Sequence, residues 1–161
     1  MKIWTFPSRR IAAMANHPDG DKRDKSLIDT VLPFLNEMDD YRKENRRGIT
    51  TSLWLNAVDG HAYLRIGDRV LRHGANTYVT VSNVEVWTSY RNKGLFRKMM
   101  DLIEDWAAMR GYGVIIENVS SPIIAAMYRE DPFWEELMID VSRQIICSPG
   151  NVQAKVKERH Q

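Results

Sequence analysis

Several things are scarce in this sequence. There is a single cysteine, Cys147, so neither a disulfide within the chain nor a thiolate metal cluster can form. A lone cysteine of this kind is expected in the core rather than as a nucleophile. The four histidines show no ligand spacing, and no metal site is expected. No run approaches the about 18 apolar residues of a membrane span, and the first residues lack the apolar core of a signal peptide. The reading is therefore a chain without a membrane partner, with the cytoplasm as the default compartment. An excess of one charge is also missing. The 23 Lys and Arg against 21 Asp and Glu leave a net charge of +2, too little to argue for nucleic acid. The basic runs "SRR", "KENRR" and "KVKER" are interrupted by acids and lack interleaved aromatics, which ranks nucleic acid low among partners. There are no internal repeats.

What is present is a chain of 161 residues, 43% hydrophobic and 27% charged, enough for one domain with a sizeable core. That domain is expected over 1–148. The remainder, 149–161, is polar and basic with no apolar period to bury, and reads as a disordered tail.

Along the chain, "MKIWTF" reads as a first strand ended by Pro7, followed by a weak helical stretch from Ile11 to Ala15 and a loop. From Ser26 the residues Leu27, Ile28, Val31, Leu32, Leu35 and Met38 keep helical spacing. Pro33 interrupts them, giving two short helices or one kinked helix that closes at Gly48. "TTSLWLNA" and "HAYLRI" flank Asp59-Gly60 as a hairpin. The stretch from Gly67 to Thr77 reads as a mobile connection. In "YVTVSNVEVW", Val79 and Val81 share one parity and Val84 and Val86 the other, so a β-bulge is expected near Ser82-Asn83. An amphipathic helix starts near Gly94, with Leu95, Met99, Leu102, Ile103 and Trp106 on one face and Lys98, Asp101, Glu104 and Asp105 on the other, and stops at Gly111. "GVIIENV" reads as a buried strand, and "SSPIIAAMYRE" as a helix capped by Ser120 or Ser121 with Pro122 in its first turn. Trp134, Leu137, Met138 and Val141 suit a helix, whereas "VSRQIICS" suits a strand.

Strand, polar turn, helix and buried strand in this order form a β-α-β unit with parallel strands. Its turn, "YRNKG", puts cations at a helix start, where acids are usual. A phosphate resolves the anomaly: free N–H groups at the helix N-terminus attract it, Gly94 lets it approach the backbone, and Arg91, Lys93 and Arg97 add charge. The bland alternative is a solvated basic helix start.

Arg91, Asn92, Lys93, Gly94, Leu95 and Phe96 resemble the pyrophosphate loop of the GNAT superfamily of N-acetyltransferases, with Phe96 in place of the usual small residue. "VEVWTSY" resembles the strand that leads to that loop. "IIAAMY" followed by "REDPF" is similar to the family's helix that ends in Tyr, a turn and Gly-Phe, with Pro132 where the glycine is usual. The resemblance runs from about Thr50 to Phe133. It implies an α/β (α+β) fold whose mixed, mainly antiparallel sheet, flanked by helices, is splayed at an acetyl-CoA cleft between the strand ending at Val86 and the strand Val114–Val119. Pantetheine would pair with backbone around Val84 to Val86, and pyrophosphate would sit on amides from Asn92 to Arg97. Phe96 fits only if its ring turns into the core beside Leu95 or Met99.

The implied reaction is direct acetyl transfer from acetyl-CoA, as cosubstrate, to an amine acceptor, either a small molecule or a protein. Tyr128 occupies the position of the general acid, since a phenol suits protonation of a thiolate. Glu117 is the first choice of base and Glu85 the second, and either could be a solvated strand residue. His61 and His73 border the acceptor region. A homodimer stays open. The competing readings are a GNAT-like binding module without catalysis, and an RNA-directed acetyltransferase.

Overall fold

A computed structural model of the chain describes residues 25–45, 50–119, 121–139 and 142–161. The expected first strand, the weak helix after it, the Gly48 stop and the residues Ser120 and Val141 lie outside them.

Helix α1 (Leu27–Glu44) starts at Ser26, whose hydroxyl accepts from the Asp29 N–H at 3.2 Å. Asp29 in the first turn and Arg42 and Lys43 in the last suit the helix dipole. Pro33 lies inside this single helix and does not divide it in two. A proline there costs about 3 kcal/mol. Leu27, Val31, Leu35 and Met38 are all buried, at about 1.5–3 kcal/mol for each such side chain, so the apolar stripe outweighs the lost hydrogen bond.

Three strands follow as a meander: β1 (Thr51–Ala57), β2 (Gly60–Leu71) and β3 (Gly74–Val86). The Asp59-Gly60 turn lies where expected. The Asp59 carboxylate also accepts from the Leu27 N–H at 2.8 Å, which ties the turn to the start of α1. The mobile connection expected from Gly67 to Thr77 is instead a continuous ladder, from Gly67 opposite Tyr78 to Leu71 opposite Gly74. Its side chains are mostly polar, so no period-2 pattern marks it. Backbone pairing carries it, with Asp68 accepting from Thr77 at 2.6 Å and from Arg42 at 3.2 Å. The bulge falls where the valine parity puts it: Tyr63 faces Asn83 and Leu64 faces Val81, leaving Ser82 over. Val79, Val81 and Val84 thereby turn to the same core.

A 3-10 turn (Thr88–Tyr90) leads to α2 (Leu95–Arg110) and then to β4 (Gly113–Ile116). β4 runs parallel to β3, from Tyr78 opposite Gly113 to Val81 opposite Ile116, as the β-α-β reading requires. Only glycine fits at 113, because a Cβ would lie 2.3 Å from the Tyr78 ring and 2.9 Å from the Cys147 carbonyl oxygen. Helix α3 (Pro122–Arg129) is capped by Ser121.

The segment after α3 departs from its helical reading. It forms β5 (Glu135–Ile139), which pairs antiparallel with β6 (Ser142–Cys147). β6 in turn pairs antiparallel with β4, and the six-stranded sheet has the order β1-β2-β3-β4-β6-β5. The expected disordered tail is also a helix, α4 (Pro149–Arg159), with Ser148 as cap, Pro149 in its first turn and Val152 buried. Its contacts are mainly ionic: Lys155 lies 3.0 Å from Glu104 and 2.7 Å from Asp131, and Arg159 also pairs with Glu104. Glu104, expected on the face of α2 opposite the apolar one, is therefore buried. Burial pushes its carboxyl above the ordinary value, against the pull of the two cations. Side chains of α1, α2, α4 and one sheet face form the main core, while Tyr78, Ile115 and Ile146 form a small cluster of their own with Leu71 and Leu137.

Candidate active site at the opening between β3 and β4

The pairing of β3 with β4 stops early. After Val81 and Ile116, one further bond joins the Glu117 N–H to the Val81 carbonyl oxygen at 2.9 Å. β3 then runs on to Val86, while the other chain turns at Asn118, which has a positive φ of 54°. A cleft of about 570 Å³ opens between them, within the about 300–1,000 Å³ common for small-molecule sites.

Its walls are Val84 to Val86 of β3, the loop into α2, the α3 cap Ser121, and Ile123, Ile124 and Met127 of α3. Gly94, the residue before α2, holds φ +71°, and no side chain caps the helix. Asn92 takes φ +62° as well. The first helical bond runs from the Lys98 N–H to the Gly94 carbonyl oxygen, so the N–H groups of Leu95, Phe96 and Arg97 have no partner within the helix. This is the geometry that attracts an anion. Arg91 donates from Nε to the Val86 carbonyl oxygen at 2.8 Å, and Arg91 and Arg97 both line the cleft. Of the loop residues nominated from the sequence, Lys93 alone does not line it; its ammonium lies 5.4 Å from the Tyr90 ring centre.

Phe96 turns inward, packs against the core and helps wall the cleft, as a large residue here must. A smaller pocket of about 100 Å³ shares Val84, Phe96, Ser121 and Ile124 with the cleft and continues to Ser82 and Glu117 at the root of the opening.

The three proposed catalytic side chains are not gathered at one point. Glu85 lines the cleft. Glu117 lines the small pocket, with Oε2 accepting from Arg65 and from Ser82 at 3.0 Å, and Oε1 from Arg69 at 2.8 Å. Both of its oxygens are thus engaged. Tyr128 is buried and lines a neighbouring pocket with Glu104, Asp131 and Lys155. It stands edge-on to Phe96 with ring centres 6.5 Å apart, and rests on Trp134 at 4.6 Å. Burial pushes its phenol well above the ordinary value. Phe96 and Met127 separate it from the cleft.

His73 reaches Glu135 at 3.1 Å, away from the opening. Cys147 is buried in the core, and burial raises its thiol. No group of three metal-ligating side chains occurs among the described residues. No helix among them is long and apolar enough to cross a membrane. The apolar wall of α3 escapes the sequence reading. The signal is there: Ile123 and Ile124 are adjacent and cannot share one helix face, and Ile123 is left 80% exposed at the cleft.

No family model and no curated protein matches the sequence. Solved structures are similar to it. One is a chain of the KacTA–DNA complex, at 13% identity and a TM-score of 0.50, covering 81% of this chain and 86% of that one. Another is described as a bacterial toxin, at 10% identity and a TM-score of 0.50, covering 98% and 92%. A third is a mutant of the AtaT toxin bound to the C-terminus of the antitoxin AtaR and acetyl-CoA, at 13% identity and a TM-score of 0.48, covering 76% and 81%. These likenesses show the fold, and the chain has a GNAT-like fold with a mixed six-stranded sheet.

Proposed function

We propose that the protein is an acetyl-CoA-dependent N-acetyltransferase that passes the acetyl group directly to an amine. One observation carries this reading: the uncapped start of α2 and the unpaired end of β3 wall the same cleft. Pyrophosphate on the N–H groups of Leu95 to Arg97, with Arg91 and Arg97 beside it, orients the donor. Its pantetheine arm lies along Val84 to Val86, where β4 has left the strand edge. The thioester then lies against β3, where a backbone amide of that strand polarises its carbonyl.

Glu117 serves this site by position rather than as a base, because Arg65, Arg69 and Ser82 hold both of its oxygens. Tyr128 is assigned the proton for the departing thiolate. Its raised phenol keeps that proton throughout the neutral range. To deliver it, Phe96 and Met127 must give way when the donor binds, since hydrogen bonds of catalysis often close only in the complex. The same two side chains favour a second reading, a fold that binds CoA without catalysis, because they separate the phenol from the cleft.

Incubation with acetyl-CoA and a panel of amines, followed by mass spectrometry and thiol release, decides between the two. Transfer is expected for at least one amine. Tyr128→Phe keeps the ring and removes only the proton, so its turnover should fall about a hundredfold to ten-thousandfold while acetyl-CoA affinity and Tm stay near wild type. Unchanged turnover removes Tyr128 from the mechanism. Binding of acetyl-CoA without any transfer supports the binding module.

A further inference from the structure

A row of rings crosses the sheet at the edge of the cleft. Trp54 on β1 meets His61 on β2 with ring centres 5.3 Å apart, and His61 meets Trp87, just past β3, at 5.1 Å. Both contacts are edge to face. Tyr63 leans on Trp54 at 5.0 Å. Register produces the arrangement: Trp54 lies opposite Tyr63, and His61 lies opposite Glu85, so these side chains share a face. On β1 the buried Leu53 and Leu55 alternate with Trp54, which places the row on the face away from α1 and α2.

The rings are not core. Trp54 is 45% and Trp87 38% exposed, and the imidazole keeps 24% of its side-chain surface accessible. Glu85 carries the row into the cleft, since it lies 3.7 Å from His61 Nε2 and also forms part of the cleft wall. Arg65, two residues past Tyr63 on the same face, is held by Glu117. Arg91 stands 4.0 Å from the second Glu85 oxygen, Oε1, and the Asp59 carboxylate accepts from the Leu27 N–H.

We propose that this row is the acceptor subsite of the transferase and that His61 is its general base. The proposal rests on the transferase reading above. An amine arrives as an ammonium, which is drawn to tryptophan faces and to the Glu85 carboxylate. The acceptor class is therefore a primary or secondary ammonium, and Glu85 disfavours an acceptor with an acidic group beside its amine. Imidazole is the side chain that exchanges a proton near neutral pH. His61 takes one proton from the ammonium, and Glu85 stabilises the imidazolium that results. The neutral nitrogen attacks the thioester carbonyl carbon, the N–C bond forms and the C–S bond breaks. Of the three protons of a primary ammonium, one goes through His61 to water, one leaves the nitrogen as the amide forms and replaces the proton that Tyr128 gives to the CoA thiolate, and one stays on the amide. No oxidant or second co-reactant is needed.

The test uses the full chain and first measures acetyl-CoA binding by calorimetry. No binding overturns the transferase reading, and the subsite with it. With binding established, kcat/KM is followed from about pH 5.5 to about 9 with n-butylamine, spermidine and a tetrapeptide bearing a free α-amine. The wild type should lose rate on the acid side. His61→Gln should fall at least about a hundredfold at neutral pH and climb with pH across the whole range, as the free-amine fraction does, in place of the wild-type limb and plateau, with acetyl-CoA affinity unchanged. Trp87→Ala should raise the acceptor KM about tenfold with little change in kcat. A His61→Gln enzyme with wild-type rate and the same acid limb overturns the proposal. A readout free of turnover covers the case of an unfolded variant or an inert panel. n-Butylammonium titrated into the CoA complex should move the His61 imidazole resonance in the wild type, and about tenfold more amine should be needed for the same movement in Trp87→Ala. A resonance that does not move in the wild type overturns the proposal.

Discussion

Asp39 on α1 is fully buried and holds four groups around one carboxylate. Lys43 lies 2.6 Å from it, Arg110 3.3 Å and Arg42 3.7 Å, and the Tyr112 hydroxyl donates to it at 2.9 Å. Burial alone would raise this carboxyl. The hydrogen bonds from Lys43 and Tyr112 and the charges of Lys43 and Arg42 bring it below the ordinary range instead. A carboxyl lowered by folding stabilises the fold above its unfolded value, near about 3.9, and that contribution disappears as the pH falls through its folded value. Tm should therefore drop below about pH 4, and Asp39→Asn should lower Tm at neutral pH and flatten that acid decline. A variant with the wild-type acid decline would place the titration elsewhere. Local pattern offers little warning of such a residue. Asp39 follows Met38 on an otherwise apolar stripe, and its partners Arg110 and Tyr112 are about 70 positions away in the chain. Glu104 misleads for the same reason, because its partners Lys155 and Arg159 are supplied by α4.

At the scale of elements, α4 closes the fold. It brings Val152 into the core, Lys155 to Glu104 and Asp131, and Asn151, whose side-chain amide donates to the Phe133 carbonyl oxygen at 3.0 Å. Removing it takes both cations from Glu104 and uncovers the core around Val152, and a broken buried pair costs about 3–5 kcal/mol. At about 2–4 °C per kcal/mol for a chain of this size, a protein ending at Ser148 should melt at least about 6 °C lower or lose its cooperative transition. An unchanged Tm would show that α4 is an appendage. Ser148-Pro149 repeats the Ser-Pro start that identifies α3 at Ser121-Pro122. What hides α4 is its narrow apolar face, only Val152 and Val156, beside an ionic attachment that hydrophobic periodicity does not report. β5 misleads by the converse error. Trp134, Leu137 and Met138 have helical spacing, yet Met138 is left 61% exposed on a strand at the sheet edge. The elements around the cleft are legible because local chemistry marks each end: Gly94 and Gly111 about α2, the valine parity at the bulge, and Ser121-Pro122 at α3.

For the molecule as a whole, the proposed site is a place where regular structure stops. β3 outlasts β4, α2 starts without a cap, and the two ends meet at one cleft. Sequence can indicate the loop and the bulge, which are local, but not the separation of Tyr128 from the cleft, which depends on how Phe96, Met127 and Trp134 pack together. The central claim is that acetyl-CoA binds with its pyrophosphate on the start of α2. Isothermal titration of acetyl-CoA into the wild type and into Gly94→Asp tests it most directly. The new carboxylate stands at the cleft wall where the pyrophosphate is assigned, and open space lies around its Cβ position. Aspartate also tolerates a positive φ better than most residues, so the variant should keep its fold and a Tm within a few degrees of wild type. We expect the wild type to bind and Gly94→Asp to bind at least about tenfold more weakly, a difference of about 1.4 kcal/mol. A folded Gly94→Asp protein that binds acetyl-CoA as tightly as the wild type would contradict the assignment.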